Sequence, residues 1–325
     1  MELIAQFGDE NIAKVYVLKL RTDGLKHCIE CVESVQPPNP RSYKWVLLVS
    51  TLYGCPIGCP MCDAGGSYFG KLTADEIVAQ ILFLIHNRFG FSKPPFKIPV
   101  RTLKIQFARM GEPALNSAVI DVLERLPSII ASSRIIPSIS TVAPRTSVDF
   151  FERLVEVKNR LYRDGNFQLQ FSIHTTDETA RDIIIPIKKW DFQTIAEYGR
   201  RWFKTGDRKV TLNFAASTQY PIEPSVLRKY FDPELFFIKI TPLNPTENAF
   251  RNRLKSLVDP CMPESYRTLV QELEDYGYEV LVSIGELREN LIGSNCGQYL
   301  TYLRESNLTS RDYKSLSSMT NSPFL

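Results

Sequence analysis

Residues 44–66 read KWVLLVSTLYGCPIGCPMCDAGG, a short apolar run followed at once by a loop with three cysteines. The apolar run at 44–50 has the length and the Val and Leu content of a strand buried on both faces. Cys55, Cys59 and Cys62 follow within eight positions, in a loop rich in Gly and Pro. The stretch therefore predicts a buried parallel strand whose carboxyl end carries a group of thiols.

The same alternation of buried strands and helices continues along the chain. Further β-rich runs lie at 102–108, 134–141, 167–174, 209–216 and 235–243. Helical segments between them lie at 73–89, 117–126, 147–161 and 191–203, and the first opens with the capping box Thr73-x-x-Glu76. Strands that alternate with helices predict parallel βαβ units. We expect an α/β fold, a partial (β/α)6 barrel, followed by a helix at 264–277 and a strand at 278–284.

The first 43 residues have a different pattern. Two β-rich runs flank Asp23-Gly24, a dipeptide typical of β-hairpin turns. They predict two antiparallel strands that form a small N-terminal β-extension on the barrel. We therefore divide the chain into a β-extension at 1–43, the barrel at 44–250 and a C-terminal segment at 251–325.

Composition narrows the classes of protein. The chain has 325 residues, of which 44% are apolar and 23% charged, which indicates a large core and excludes a disordered chain. The net charge of +3 permits a nucleic-acid partner without requiring one. Neither a secretory signal nor an 18-residue apolar run is present, so a cytoplasmic protein without a membrane partner is expected. In that compartment, seven cysteines favour metal or redox chemistry over disulfides.

The cysteine spacing C-x3-C-x2-C indicates one kind of site. A structural zinc ion normally takes four ligands, and no fourth ligand lies nearby in the sequence. Three thiolates from one tight loop suit a 4Fe–4S cluster with one iron left open, and Gly54 and Gly58 let the loop fold tightly. Two alternatives stay open, namely three buried structural cysteines and a zinc site completed from elsewhere.

This spacing is typical of the radical S-adenosylmethionine (SAM) enzymes, and the chain resembles that superfamily. The resemblance implies that the open iron binds the amino and carboxylate groups of SAM. One electron then cleaves SAM to a deoxyadenosyl radical. One departure is Met61, which stands before the third cysteine where the family usually has an aromatic residue. Its polarizable thioether can pack in a similar way.

Further stretches resemble, in order, the RlmN/Cfr methyl synthases, which methylate an amidine carbon of an adenine in RNA. They are MGEPALN (110–116), SISTVAP (138–144), FSIHTTDETARDIIIPIKK (171–189), VTLNF (210–214), ITPLNP (240–245) and NCGQYL (295–300), within about Asp23 to Leu303. The resemblance implies a SAM pocket formed by Gly111, Glu112, Ser140, Ser172, Ile173, His174 and Asn244. It also implies an RNA adenine as substrate and an electron donor such as flavodoxin or ferredoxin.

Cys296 aligns with the family's methyl carrier. The resemblance implies that one SAM molecule methylates this cysteine, which must first act as a thiolate nucleophile. A radical from a second SAM then takes a hydrogen atom from the S-methyl group, and the carrier adds to the adenine. The alternative for an isolated cysteine is a small buried apolar residue.

The chain departs from the family at the step that releases the RNA adduct. The family's second cysteine lies seven residues before the first cluster cysteine, and Leu48 stands there. The family's proton-accepting glutamate corresponds to Glu30. Strand alternation places Cys28 on the face of Glu30 and turns Cys31 away, so Cys28 is the candidate for release. Both thiols are alternatively ordinary apolar strand residues.

A further departure from the family lies before the β-extension and concerns the RNA substrate. The family carries a helical domain before the β-extension, and only 22 residues precede Asp23 here. Arg251, Arg253 and Lys255 follow the sixth strand on the expected active face and are candidates for phosphate contacts. Two other functions stay open: a radical SAM enzyme that acts on a small molecule or natural product, and a non-catalytic metal-binding RNA-associated protein.

Overall fold

The structure, a computed structural model, describes residues 1–22, 24–36, 38–90, 93–132, 134–285, 288–294 and 299–305. Cys296, the expected methyl carrier, lies outside these ranges. Within them, no helix has both the length and the apolar character needed to cross a membrane.

The described residues form fourteen strands. They are β1 (Glu2–Asp9), β2 (Ala13–Lys19), β3 (Cys28–Val35), β4 (Lys44–Val49), β5 (Leu52–Gly54), β6 (Tyr68–Lys71), β7 (Phe96–Lys97), β8 (Thr102–Phe107), β9 (Ile130–Ala131), β10 (Ile135–Thr141), β11 (Gln168–Ser172), β12 (Val210–Ala216), β13 (Phe236–Pro242) and β14 (Val280–Val282).

Helices connect most of these strands. They are α1 (Ala74–Phe89), α2 (Ala118–Ile129), α3 (Val148–Leu161), α4 (Glu178–Ile184), α5 (Phe192–Trp202), α6 (Pro224–Tyr230), α7 (Glu247–Arg251), α8 (Glu264–Asp275), α9 (Arg288–Ile292) and α10 (Tyr299–Glu305). Two 3-10 helices lie at Gly24–His27 and Pro113–Leu115. The capping box predicted for α1 is present, since Thr73 and Glu76 exchange hydrogen bonds.

One large sheet organises the molecule, in the order β1-β2-β3-β4-β8-β10-β11-β12-β13-β14. The strands from β4 to β14 are parallel to their neighbours, whereas β1 to β4 pair antiparallel. The six predicted strands are confirmed to within one residue at each end, apart from the carboxyl end of β11, which comes two residues early, and β14 extends the parallel series. The carboxyl ends of parallel strands meet at one edge of a sheet, so their loops lie together.

The N-terminal extension is larger than predicted. β2 and β3 pair antiparallel as expected, but β1 adds a third strand at the edge. A 3-10 helix at Gly24–His27, rather than a two-residue hairpin turn, joins β2 to β3. Because β3 pairs with β4, the extension continues the large sheet instead of packing on it as a separate layer.

The two faces of the parallel strands differ in polarity. On β4, Trp45 and Leu47 are fully buried in the main core with the helices. The opposite face is polar and partly buried along the sheet, through Lys104, Gln106, Ser140, Gln170, Asn213, Lys239 and Thr241. A cavity of about 390 Å³ lies against this polar face and extends to Asn244 at the carboxyl edge. A solvated interior of this kind offers room for a ligand beside the strand ends.

Candidate active site

The cysteine loop begins directly after β5 and has the tight geometry expected from its glycines. Gly54 has φ +83°, and a Cβ atom there would lie 1.7 Å from the carbonyl oxygen of Ser67. Gly58 also has a positive φ, +73°. Only glycine adopts such a conformation at a close backbone approach without strain. The predicted use of both glycines is therefore confirmed.

Helix α7, which lies far from the cysteine loop in the sequence, is hydrogen-bonded to that loop in the structure. Asn248 donates to the carbonyl of Cys62 at 2.9 Å, and Asn252 donates to that of Pro60 at 3.0 Å. Thr246, which caps α7, donates to the carbonyl of Met61 at 2.9 Å. In return, the Asp63 carboxylate accepts the N–H group of Asn248 at 2.9 Å. The segment after β13 thus fixes the loop that carries the thiols.

An apolar cluster surrounds two of the three thiols. Ile57, Val142, Ile184 and Ile185 are buried together, and Cys55, Cys59 and Met61 pack against them. Burial, followed by the neighbouring Cys62, raises the pKa of the Cys55 thiol to about 12. Burial also raises the pKa of Cys59 well above its ordinary value. These thiols need a bound cation to become thiolates at neutral pH.

The donor set fits an iron–sulfur cluster. The backbone amides of Ile57 and Glu112 lower the pKa of the Cys55 thiol against the larger effect of burial, as suits a sulfur that is to become anionic. Within the described ranges, no three His, Cys, Asp or Glu side chains converge where one metal ion would sit. A cluster does not need such convergence, because each thiolate binds a different iron.

Glu112 joins the ends of β8 and β10. Its carboxylate accepts hydrogen bonds from the Thr141 hydroxyl, from the Val142 N–H at 2.9 Å and from the Ala114 N–H at 3.0 Å. Burial raises the pKa of Glu112 to about 7, against the opposing effect of these donors. The preceding Gly111 has φ +96°, and a Cβ atom there would lie 2.5 Å from the Leu52 side chain. This backbone therefore requires glycine.

The other expected SAM residues lie at neighbouring strand ends. The Ser140 hydroxyl on β10 accepts from the Gln170 side chain at 2.9 Å. Ser172 ends β11, and Ile173 directly after it is fully buried. Asn244 follows β13 and lines the cavity. The structure brings these residues to the edge that also carries the cysteine loop, as the alternating pattern predicts.

His174 is held as a neutral imidazole. Its backbone has φ +67°, and its Nδ1 accepts the N–H of Ala215 at 3.1 Å. Nε2 therefore carries the proton and is the donor. Burial, followed by the charge of Arg181, lowers the pKa of His174 from 6.5 to about 4.

We expect His174 to make stability depend on pH. The unfolded state binds its proton between pH 6.5 and 4 while the folded state does not, so stability is full above 6.5 and falls towards 4. The loss is about 3 kcal/mol from this group. His174→Asn keeps an acceptor and tolerates positive φ, and its urea midpoint should fall less than that of the wild type between pH 7 and 4. His27→Asn is the control, and equal slopes for wild type and His174→Asn would contradict the assignment.

Glu30 and Arg109 form a buried ion pair on the inner side of β3. Arg109 Nε donates to the Glu30 carboxylate at 3.0 Å, its Nη2 donates to the same oxygen, and both side chains are inaccessible to solvent. Arg109 also donates to the carbonyls of Gly293 at 3.0 Å and Ser294 at 2.8 Å. The other Glu30 oxygen accepts the Leu300 N–H at 2.7 Å. The pair is thus hydrogen-bonded to the chain on both sides of residues 295–298, the span that contains Cys296.

The expected roles of Glu30 and Cys28 stay predictions. Both carboxylate oxygens of Glu30 have partners, so it would have to leave Arg109 to act as a base. Cys28 is fully buried, its thiol donates to the carbonyl of Gly24 at 3.8 Å, and burial raises its pKa to about 11. A thiol with that pKa provides little thiolate at neutral pH.

Several residues that build this site are not identified by the sequence patterns. Arg109 directly precedes the stretch MGEPALN (110–116). Its position at the end of a predicted strand is the only signal that the sequence offers for it. Asp63 and Asn248 act through backbone groups, for which the sequence offers no pattern. The predicted phosphate contacts of Arg251, Arg253 and Lys255 stay a prediction; Arg251 pairs with Glu247 at 3.0 Å on the surface.

Comparisons with known proteins agree with this geometry. No family model matches the chain. A probable dual-specificity RNA methyltransferase RlmN from Acidothermus cellulolyticus is 26% identical over 287 residues, which cover 84% of this chain and 62% of the relative. The same-named protein of Desulfitobacterium hafniense is 27% identical over 280 residues, with 83% and 71% covered. The chain therefore spans somewhat under two thirds of the first relative.

A solved structure shares the fold. The crystal structure of a radical SAM methyltransferase from Sphaerobacter thermophilus matches with a TM-score of 0.66 at 20% identity, over 91% of this chain and 80% of that one. The mixed α/β architecture with a large parallel sheet is therefore shared with this solved structure. By sequence the chain is similar to proteins named probable dual-specificity RNA methyltransferase RlmN, and it shares its fold with a radical SAM methyltransferase.

Proposed function

We propose that this protein is a radical SAM methyl synthase that methylates an amidine carbon of an adenine, with RNA as the substrate. The observation that carries the proposal is the loop of Cys55, Cys59 and Cys62, half-buried under an apolar cluster beside the strand ends. Relatives named as RNA methyltransferases support it.

The three thiols would hold a 4Fe–4S cluster. When bound, such a cluster supplies the electron that cleaves SAM to a radical. Ile57 and Ile184 would exclude water from the thiols, because they bury the loop on its apolar side. A dry site protects a radical from side reactions.

The strand ends would bind and orient SAM. Glu112 is fixed by three donors, and it retains lone pairs for a SAM amino or hydroxyl group. His174 offers an N–H donor at Nε2 and no charge, because its pKa lies near 4. Gly111, Ser140, Ser172, Ile173 and Asn244 would complete the pocket around the same edge.

Cys296→Ala tests the methyl-carrier part of the proposal. Wild-type protein exposed to SAM should gain one methyl group on Cys296, detected by intact mass and peptide mapping, because the carrier must be methylated first. The variant should keep its iron and cleave SAM, yet gain no methyl group and transfer none. Cys261→Ala is the control, since Cys261 is an exposed thiol in a turn. A wild-type protein that never carries a methyl group on Cys296 would contradict the methyl-synthase function.

A second function is favoured by the cavity. A radical SAM enzyme that acts on a small phosphate-bearing molecule would need a cationic interior, and the polar face of the sheet carries lysines there. Identification of the substrate separates the two functions.

A further inference from the structure

The cavity inside the sheet has lysines on opposite walls. Lys104 on β8 and Lys239 on β13 both line it. β10, β11 and β12 lie between β8 and β13 in the sheet, so the two lysines approach the cavity from different sides. Gln106 and Thr241, two residues further along the same strands, line it as well. The walls are therefore polar and carry two cations.

Lys104 lacks a partner among the residues that the structure describes. No hydrogen bond or ion pair involves its ammonium group, whereas the buried Lys158 pairs with Asp207 and Lys189 pairs with Asp182 at 2.5 Å. Buried charges are normally paired, since an unpaired one loses its hydration without compensation. Lys104 differs in this respect from Lys158 and Lys189.

The charged neighbours of Lys104 are themselves cations. Burial, followed by Lys239, Lys44 and Arg208, lowers the pKa of Lys104 well below its ordinary value. Glu289 is an acidic residue of the cavity wall and accepts a hydrogen bond from Ser34 at 2.9 Å. An anion in the cavity would relieve this repulsion and receive charge-assisted hydrogen bonds.

The lysines lie below the edge that carries the cofactor residues. Lys104 precedes the end of β8 at Phe107 by three residues, and Lys239 precedes the end of β13 at Pro242 by three. At about 3.3 Å per residue, both lie roughly 10 Å inside the edge. Asn244, at that edge, lines the same cavity. A ligand with an anionic end on the lysines would therefore present its other end to the cofactor site.

We propose that this cavity binds a phosphate group, held by Lys104 and Lys239, on a ligand whose other end reaches the carboxyl edge of the sheet. A nucleotide that enters phosphate first has this shape, with its base at the edge. The inference rests on the proposed function, because it names the phosphate-bearing adenine compound that the same site would take. The test measures binding alone. The phosphate site and the proposed function can therefore each fail without the other.

Binding to the full chain, carried through anaerobic cluster reconstitution, tests the proposal. The probes are inorganic phosphate, AMP, adenosine and the trinucleotide ApApA with hydroxyl ends, measured by titration calorimetry. AMP should bind roughly tenfold or more tightly than adenosine, and Lys104→Gln or Lys239→Gln should each remove that advantage, which is the usual weight of a charge-assisted hydrogen bond. Lys71→Gln on the exposed strand β6 is the control and should bind AMP as the wild type does.

The trinucleotide identifies the source of the phosphate. If it competes with AMP and shows the same dependence on Lys104, the group belongs to an RNA backbone. If it does not compete, the group belongs to a mononucleotide. Both results support the phosphate site. Equal affinities for AMP and adenosine, or unchanged AMP binding by both lysine variants, would overturn it.

The midpoint of thermal unfolding is a second measurement, which shows whether a variant that binds poorly is simply misfolded. Lys104→Met removes an unpaired cation from among cations, so its midpoint without ligand should be higher than that of the wild type. Inorganic phosphate should raise the midpoint of the wild type by mass action and leave that of Lys104→Met unchanged. A lower midpoint for Lys104→Met would show that Lys104 is satisfied in the free protein and would count against the proposal.

Discussion

Cys59→Ala is expected to abolish the cleavage of SAM to deoxyadenosine. The Cys59 thiol packs against the apolar cluster that contains Ile57 and Ile184, and an alanine there offers no atom that could bind iron. A loop with two thiols leaves an iron of the cluster without a protein ligand, and such clusters need their thiolates for stability. The expected loss therefore extends to the cluster itself and not only to turnover.

The measurement is iron and sulfide content after anaerobic reconstitution, together with deoxyadenosine formed under a strong reductant. Wild-type protein should hold about four iron atoms per chain. Cys261→Ala changes an exposed cysteine in the turn that begins at Asp259 and should match the wild type in both readouts. Full deoxyadenosine formation by Cys59→Ala would remove the radical SAM assignment.

Most of the fold could be predicted from local patterns of apolar and polar residues in the sequence. Strands such as β8 and β13 are short β-rich runs between helices, and their fully buried positions alternate with polar ones. Strand β1 is not predicted because half of its residues are exposed and its polar and apolar residues do not alternate regularly, at the edge of the sheet. Edge strands carry weaker patterns, since one side of their backbone faces solvent.

The site could be predicted only where its chemistry requires residues at a fixed spacing in the sequence. The three cysteines come from one loop, so their geometry is local and visible in sequence. Glu30 and Glu33 lie in the same strand three residues apart, so strand alternation places them on opposite faces but does not say which face carries the site. The structure does: Glu33 faces Tyr16, Trp45 and Arg88, whereas Glu30 meets Arg109 on the opposite side.

Long-range pairs of this kind escape sequence analysis because both partners are single residues. Glu30 and Arg109 are 79 positions apart and meet because β3 and β8 flank β4. Lys104 and Lys239 likewise come to line one cavity only when the sheet forms. Their physical roles follow from burial and pairing, which no local pattern encodes.

Removal of either partner of the Glu30–Arg109 pair is expected to cost about 3–5 kcal/mol of stability. Glu30→Gln leaves the Arg109 guanidinium buried without a counter-charge. Arg109→Met likewise leaves the Glu30 carboxylate buried without a counter-charge. Arg109→Met also removes the donors to Gly293 and Ser294, so it should release the segment at 288–305 more than Glu30→Gln does. Urea midpoints give the stability, and hydrogen exchange of α9 and α10 gives the release of the segment.

The double variant Glu30→Leu/Arg109→Met separates the ion pair from the anchoring. It removes both charges together, so most of the lost stability should return, because an apolar pair needs no hydration. Exchange in α9 and α10 should stay fast, since the bonds to Gly293, Ser294 and Leu300 are still absent. Arg153→Met breaks an exposed pair with Asp121 at 3.0 Å and should cost less than about 1 kcal/mol. If the double variant restored slow exchange as well, packing rather than this pair would hold the segment around Cys296.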